Sequence, residues 1–180
     1  MSFVQLVQSR RSVRRFLDKP VDRALILQCV EAARLAPSAE NVQPWRFLIL
    51  DDPQVRQKFC DENFTGLYRV SKWAEKAPVL VALLAEKDLL ANRIGKQITG
   101  IHYYLIDIGI GGEHFVLQAT ELGLGTCWIG WFNPDKARRF LQLPGKYEIV
   151  SLLALGYPAD RAVRPLKRKA QAEICRFNSL

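Results

Sequence analysis

Arg10-Arg11-Ser12-Val13-Arg14-Arg15-Phe16 is the stretch from which the rest of the chain is read. Four guanidinium groups and one hydroxyl fall within six positions. Arginine forks match phosphate oxygens in a bidentate way and stay charged at any physiological pH. A serine between them adds a short donor for the same oxyanion. In an extended segment, side chains at alternate positions share a face. Arg10, Ser12 and Arg14 then point one way, and Arg11 and Arg15 the other. The alternation points to one phosphate held by three side chains. The bland alternative is a solvated basic turn between two helices, and the segment alone does not exclude it.

The 180 residues fit one domain, 1–180, large enough to bury a core. Apolar content of 49% and charged content of 24% are those of an ordinary globular protein. The net charge of +8, from 26 basic and 18 acidic residues, favours acidic or phosphorylated small molecules, or nucleic acid, as partners. Nucleic-acid binding wants a basic stripe with exposed aromatics or a groove-reading motif, and neither is found. Cys29, Cys60, Cys127 and Cys175 are scattered in apolar contexts, which predicts reduced core residues. No C-x-x-C or Cys/His cluster gives metal-ligand spacing. Met1 to Ser9 carries no signal-peptide pattern. The most apolar run, Ile101 to Ala119, is interrupted by His102, Asp107, Glu113, His114 and Gln118, which argues against a membrane span. The expected compartment is the cytoplasm.

Taken in order, Phe3 to Gln8 reads as a short helix. After Pro20, Asp22 is an N-cap and Arg23 to Leu35 a helix with apolar residues at helical spacing. Pro37 ends it. Pro37-Ser38-Ala39-Glu40-Asn41-Val42-Gln43-Pro44-Trp45-Arg46-Phe47 then forms a polar loop leading into a strand, Phe47 to Leu50. Asn41 and Gln43 can each donate and accept, as reading the edge of a heterocycle requires. The bland reading is a turn whose amides satisfy their own backbone. Trp45 is a core anchor. A helix runs from Pro53 to about Glu62, Asn63 to Glu75 reads as loop plus helix, and Val79 to Leu84 as a strand. Residues 86–98 form a polar insertion.

Gly100 to Leu122 reads as a long helix whose first half has almost no polar face. A helix apolar all round must be buried all round, and a chain of this size has little room to do that alone. This favours a homodimer with the helix near the interface. His114 has no metal partner and reads as structural. Neither Gly109-Ile110-Gly111-Gly112-Glu113-His114 nor Gly123-Leu124-Gly125-Thr126-Cys127-Trp128 is a dinucleotide fingerprint: the third glycine is His or Trp, and both follow a helix rather than a strand. Gly123 reads as a left-handed helix stop, and Gly125 as a place where backbone comes close to a ligand. Strands follow at Cys127 to Phe132 and Tyr147 to Leu155, with a short helix from Pro134 to about Leu141 between them. Arg161, Arg164, Lys167, Arg168 and Lys169 close the chain with five cations in nine residues.

Four of these segments, 10–16, 37–45, 123–130 and 156–169, occur in the order and spacing of R-R-S-x-R-x-F, P-S-x-x-N-x-Q-P-W, G-L-G-T-x-W-I-G and strand–G-Y-P–basic tail. In this the chain resembles the nitroreductase family of FMN-dependent oxidoreductases over nearly its whole length. The resemblance implies an α+β fold: a three-layer α/β/α sandwich around a mostly antiparallel sheet, assembled as an intertwined homodimer. It implies FMN held by Arg10, Arg11, Ser12 and Arg14, with Arg168 of the tail joining on the phosphate and Arg14 free to reach the pyrimidine edge. Lys167 is a neighbour of the tail site, and Ala170 stands where the family often has Pro. Pro37, Ser38, Ala39, Asn41 and Gln43 would line the ring or ribityl chain, Gly125 and Thr126 would lie beside the flavin, and Lys72 would approach its pyrimidine. No side chain is implied as a nucleophile and no metal is called for. The implied reaction is hydride transfer from NADH or NADPH through flavin N5 to a small-molecule electron acceptor (a nitroaromatic, quinone or enone) in ping-pong turnover. The same fold hosts flavin-fragmenting and dehalogenating enzymes, and a non-catalytic FMN-binding module is a further alternative.

Overall fold

Val79 to Glu86 is apolar on both faces of the strand it forms, as a strand covered on two sides must be. In the computed structural model, which describes residues 1–87, 100–160 and 167–179, it is β2. β1 is Trp45–Leu50, β3 is Gly125–Ile129 and β4 is Tyr147–Gly156. The four form one sheet in the order β1-β2-β4-β3, with every pairing antiparallel. Val79, Val81, Leu83 and Ala85 face one layer, built from α2 (Arg23–Arg34) and α4 (Tyr103–Glu121). Leu80, Ala82 and Leu84 face the other, built from α3 (Pro53–Asn63), α5 (Pro134–Phe140) and a 3-10 stretch, Gly66–Lys76. This is the expected α+β three-layer arrangement. α1 (Phe3–Ser9) lies against α4 and buries none of its own residues. α6 (Gln171–Ile174) is a single turn in an exposed C-terminal stretch.

The long helix is packed by what it lacks. A Cβ on Gly111 would sit 3.2 Å from the Trp45 ring, and one on Gly112 would sit 2.3 Å from the Trp128 ring. Two tryptophans, one from β1 and one from β3, therefore press directly on the helix backbone. That is the work of the glycine run, and Trp45 is the anchor the sequence predicts, buried at 6% exposure. Gly123 stops the helix at φ +75°, with Leu124 N–H donating to the Ala119 carbonyl at 2.8 Å and Gly123 N–H to that of Thr120 at 3.0 Å. His114 Nδ1 lies 3.2 Å from the Ala32 carbonyl, which ties α4 to α2.

Several boundaries differ from the sequence reading. β3 begins two residues early, because Gly125 already pairs with Gly156. It ends at Ile129, because the chain turns away and the Trp131 carbonyl is taken by Ser71 Oγ at 2.6 Å. The long helix starts at Tyr103 rather than Gly100, which is left-handed at φ +71°. Glu86, expected in the insertion, ends β2 and binds Arg46 and Lys146; the remainder of that insertion, from 88, lies outside the described residues, as do Arg161 and Arg164. Cys29, Cys60 and Cys127 are buried, but Cys175 is exposed, because none of the described residues of the C-terminal stretch is buried. No described helix is long and apolar enough to cross a membrane.

Candidate active site

After α1 the chain runs extended, as the alternation of residues 10–16 requires. Ser12 bridges Thr126 at the open edge of β3, with Val13 N–H donating to the Thr126 carbonyl at 2.8 Å. Phe16 bridges Pro158, Leu17 N–H donates to the Tyr157 carbonyl at 2.9 Å, and Ala159 N–H to that of Arg15 at 3.0 Å. The start of the C-terminal stretch thus lies alongside the basic segment.

Arg10, Ser12 and Arg14 do share a face. All three act on the Cys127 thiol of β3: burial pushes its pKa up, while Arg14, Arg10 and Ser12 pull it down by charge and hydrogen bonding. Arg10 Nε is 3.9 Å from Glu113 of α4. The Arg14 guanidinium sits 5.7 Å over the Trp73 ring, so its direction is fixed by an aromatic face rather than by an acid.

Arg11, expected at the site from the sequence, is turned elsewhere. Arg11 donates to the carbonyls of Gln8, at 2.5 Å, and Arg10, at 2.8 Å, closing the end of α1 instead of joining the cluster. The missing Cβ of Gly125 makes room for Val13, 2.6 Å from where that Cβ would be, and for Pro158. Thr126 is buried at 2% exposure, and its carbonyl is the one that holds Val13.

The amide loop holds the second group of candidate residues. Glu40, Asn41 and Gln43 all have left-handed backbone, at φ +51°, +53° and +47°. Each non-glycine residue so placed costs about 1–2 kcal/mol, less for Asn, so something must hold the loop. Ser38 Oγ accepts from Gln43 N–H at 3.0 Å, and the Asp107 carboxylate of α4 accepts from Ala39 N–H at 3.0 Å. Gln43 Nε2 donates to Asn41 Oδ1 at 3.0 Å, so the two amides already face each other. Pro37 is exposed and Ser38 half-buried at the loop's entrance. Trp73, Asp107 and the placement of Cys127 are what the sequence reading missed. Asp107 alone left a signal, as an acid inside an apolar helix.

Lys72 is exposed, on the turn whose next residue carries Arg14. Arg168 is exposed and donates to the Lys167 carbonyl at 2.9 Å, so the chain by itself does not bring it to Arg10. A cavity of about 970 Å³ is bordered by Arg14 and Arg15 but by nothing from the amide loop, and a hollow of about 520 Å³ by Val42 and Gln43 but not by residues 10–16. Each set of donors suits one part of a phosphorylated heterocycle: the cations and hydroxyl near Cys127 suit a phosphate, and the clamped amides of the loop suit a ring edge.

The Nitroreductase family profile matches residues 7–157. This chain belongs to the nitroreductase family. Its structure superposes on a nitroreductase family protein from Clostridium difficile 630 with a TM-score of 0.83, at 28% identity and with all of both chains covered. Among nitroreductase relatives, a Thermus thermophilus protein named NADH dehydrogenase is 32% identical over 177 residues, covering 84% of each chain. A second, iodotyrosine deiodinase 1 of Sus scrofa, is 29% identical over 196 residues, covering 96% of this chain and 67% of that one. The nitroreductase described here is an oxidoreductase.

Proposed function

We propose that this nitroreductase binds FMN and passes hydride from NADH or NADPH to nitroaromatic, quinone or enone acceptors, as a cytoplasmic homodimer of one-domain chains. The observation that carries the reading is the convergence of Arg10, Ser12 and Arg14 on one face beside β3. Arg10 and Ser12 would hold the FMN phosphate, joined by Arg168. Arg14, steadied on Trp73, would present a fixed cation where negative charge gathers on reduction. Asn41 and Gln43 would read the edge of the ring, Pro37, Ser38 and Ala39 would border it, and Lys72 would approach from its exposed turn. When bound, FMN supplies hydride acceptance and delivery at its N5, so no side-chain nucleophile is needed. Donor and acceptor then use one face in turn, which gives ping-pong kinetics.

The site is best completed by a second copy. Leu105 and Ile106 of α4 are 41% and 50% exposed in the single chain, Ile101 just before it 45%, and α1 adds Phe3 and Val4. An apolar face of this extent marks an association surface. Ile174 and Phe177 of the C-terminal stretch are also bare, which suits an arm that lies on a partner. The test is the visible spectrum of purified protein before and after anaerobic NADH and NADPH. Yellow protein bleached by either supports the reading. Bound flavin that neither reduces would instead indicate a non-catalytic FMN module. The likeness to iodotyrosine deiodinase favours a second reading, reductive dehalogenation of a halogenated phenol, which halide release in the same assay distinguishes.

A further inference from the structure

Asp107 is 2% exposed, on the face of α4 turned toward the amide loop. Its Oδ1 takes the Ala39 N–H at 3.0 Å, and its Oδ2 is buried with no partner among the described residues. A carboxylate is expensive to bury half-satisfied, and an isosteric apolar side chain would avoid that cost. Stability of α4 therefore does not account for an acid here. Two and four residues past Ala39, Asn41 and Gln43 stand in left-handed backbone that a free chain leaves readily. The Ala39 N–H is the point at which the loop is tied to the long helix, and Ser38 Oγ ties it only to itself.

We propose that Asp107 is a positioning residue for the cofactor: by holding Ala39 N–H from α4, it fixes the left-handed turn that presents the Asn41 and Gln43 amides to the flavin. This rests on the FMN reading above. Asp107 touches neither cofactor nor substrate in this account and acts through the loop.

The test compares FMN affinity of apoprotein variants, read by flavin fluorescence, with the melting temperature of the same apoproteins. Asp107→Leu removes the acceptor at nearly constant volume. It should weaken FMN tenfold or more, a typical worth for one charge-assisted hydrogen bond. Asp107→Asn keeps an acceptor oxygen for Ala39 and should stay within about threefold of wild type. Ala39→Pro removes the donor instead, at a position where a helical turn tolerates Pro and where Ser38 is already extended at φ −142°, ψ 157°. It should weaken FMN as Asp107→Leu does, and it stands in should that variant fail to fold. In either background, Asn41→Ala should cost little more, because the amide is already misplaced. Variants that lose melting temperature but bind FMN as wild type does, or an Asn41→Ala penalty that multiplies unchanged, overturn the proposal. Wild-type protein that takes up no FMN overturns the cofactor reading itself, a distinguishable outcome.

Discussion

Gly125→Ala tests how β3 and the basic segment make one site. The new Cβ would lie 2.6 Å from Val13 Cγ2, 2.8 Å from Val13 Cβ and 3.0 Å from Pro158 Cγ. Carbon atoms rest at about 3.5–4.0 Å, so the contact must open by about 1 Å. Val13 Cβ is attached directly to backbone and cannot swing aside, so the segment itself must move. Its tether is the 2.8 Å bond from Val13 N–H to the Thr126 carbonyl, and an added ångström takes that bond beyond the usual limit of about 3.2 Å. Arg10, Ser12 and Arg14 then shift off their shared face. Overpacking costs about 1–3 kcal/mol, which in a chain of this size lowers Tm by about 2–12 °C. Misplacing one or two charged hydrogen bonds, at about 1.5–3 kcal/mol each, weakens FMN by roughly tenfold to several hundredfold or more. Thermal melts and a flavin titration of the apoprotein measure both. Val13→Ala in the Gly125→Ala background returns the space and should recover most of each loss. Unchanged Tm and affinity in Gly125→Ala, or no recovery in the double variant, would refute the reasoning.

Other expectations follow from the same geometry. Arg10→Ala with Arg14→Ala should weaken FMN by a hundredfold or more, at about 1.5–3 kcal/mol per lost charged hydrogen bond, with a near-normal apoprotein melt; full flavin retention after gel filtration refutes the assignment. Ile106→Asp places a charge on the exposed apolar face of α4 and should give monomers with lowered flavin content in sedimentation, whereas a dimer with full flavin removes α4 from the interface. Burial raises the Cys29 and Cys60 thiols from 9.0 to about 12, so the folded state resists an ionisation that the unfolded chain accepts. Stability from these groups is therefore full below pH 9 and lost as pH rises toward 12, and Cys29→Ala should flatten that alkaline decline in urea melts. With Ellman-type reagent, Cys175 should react at once and the three buried thiols only on unfolding.

Much of this architecture was legible because periodicity and punctuation agreed. The run from Val79 reads as a doubly covered strand, and Gly123 as the stop of α4. The alternation of residues 10–16 puts Arg10, Ser12 and Arg14 on one face, and all three lie near Cys127. What was not legible depends on contacts between distant segments. The 3-10 stretch Gly66–Lys76 has no clear period and is set by Ser71 on the Trp131 carbonyl and by Trp131 Nε1 on the Leu67 carbonyl. Left-handed Glu40 and Gln43 are not residues that announce a positive φ, and it is Asp107, 68 positions from Ala39, that clamps their loop. Nothing local to Gly125 shows that Val13 fills the space of its missing Cβ. Arg11 groups with its neighbours in the sequence, and only the end of α1 reveals that it serves the Gln8 carbonyl.

The most direct measurement is titration of flavin-stripped protein with FMN, followed by anaerobic NADH or NADPH, in the visible. The account predicts saturation at one FMN per chain and bleaching of the bound colour by a nicotinamide donor. Protein that stays colourless in excess FMN contradicts it.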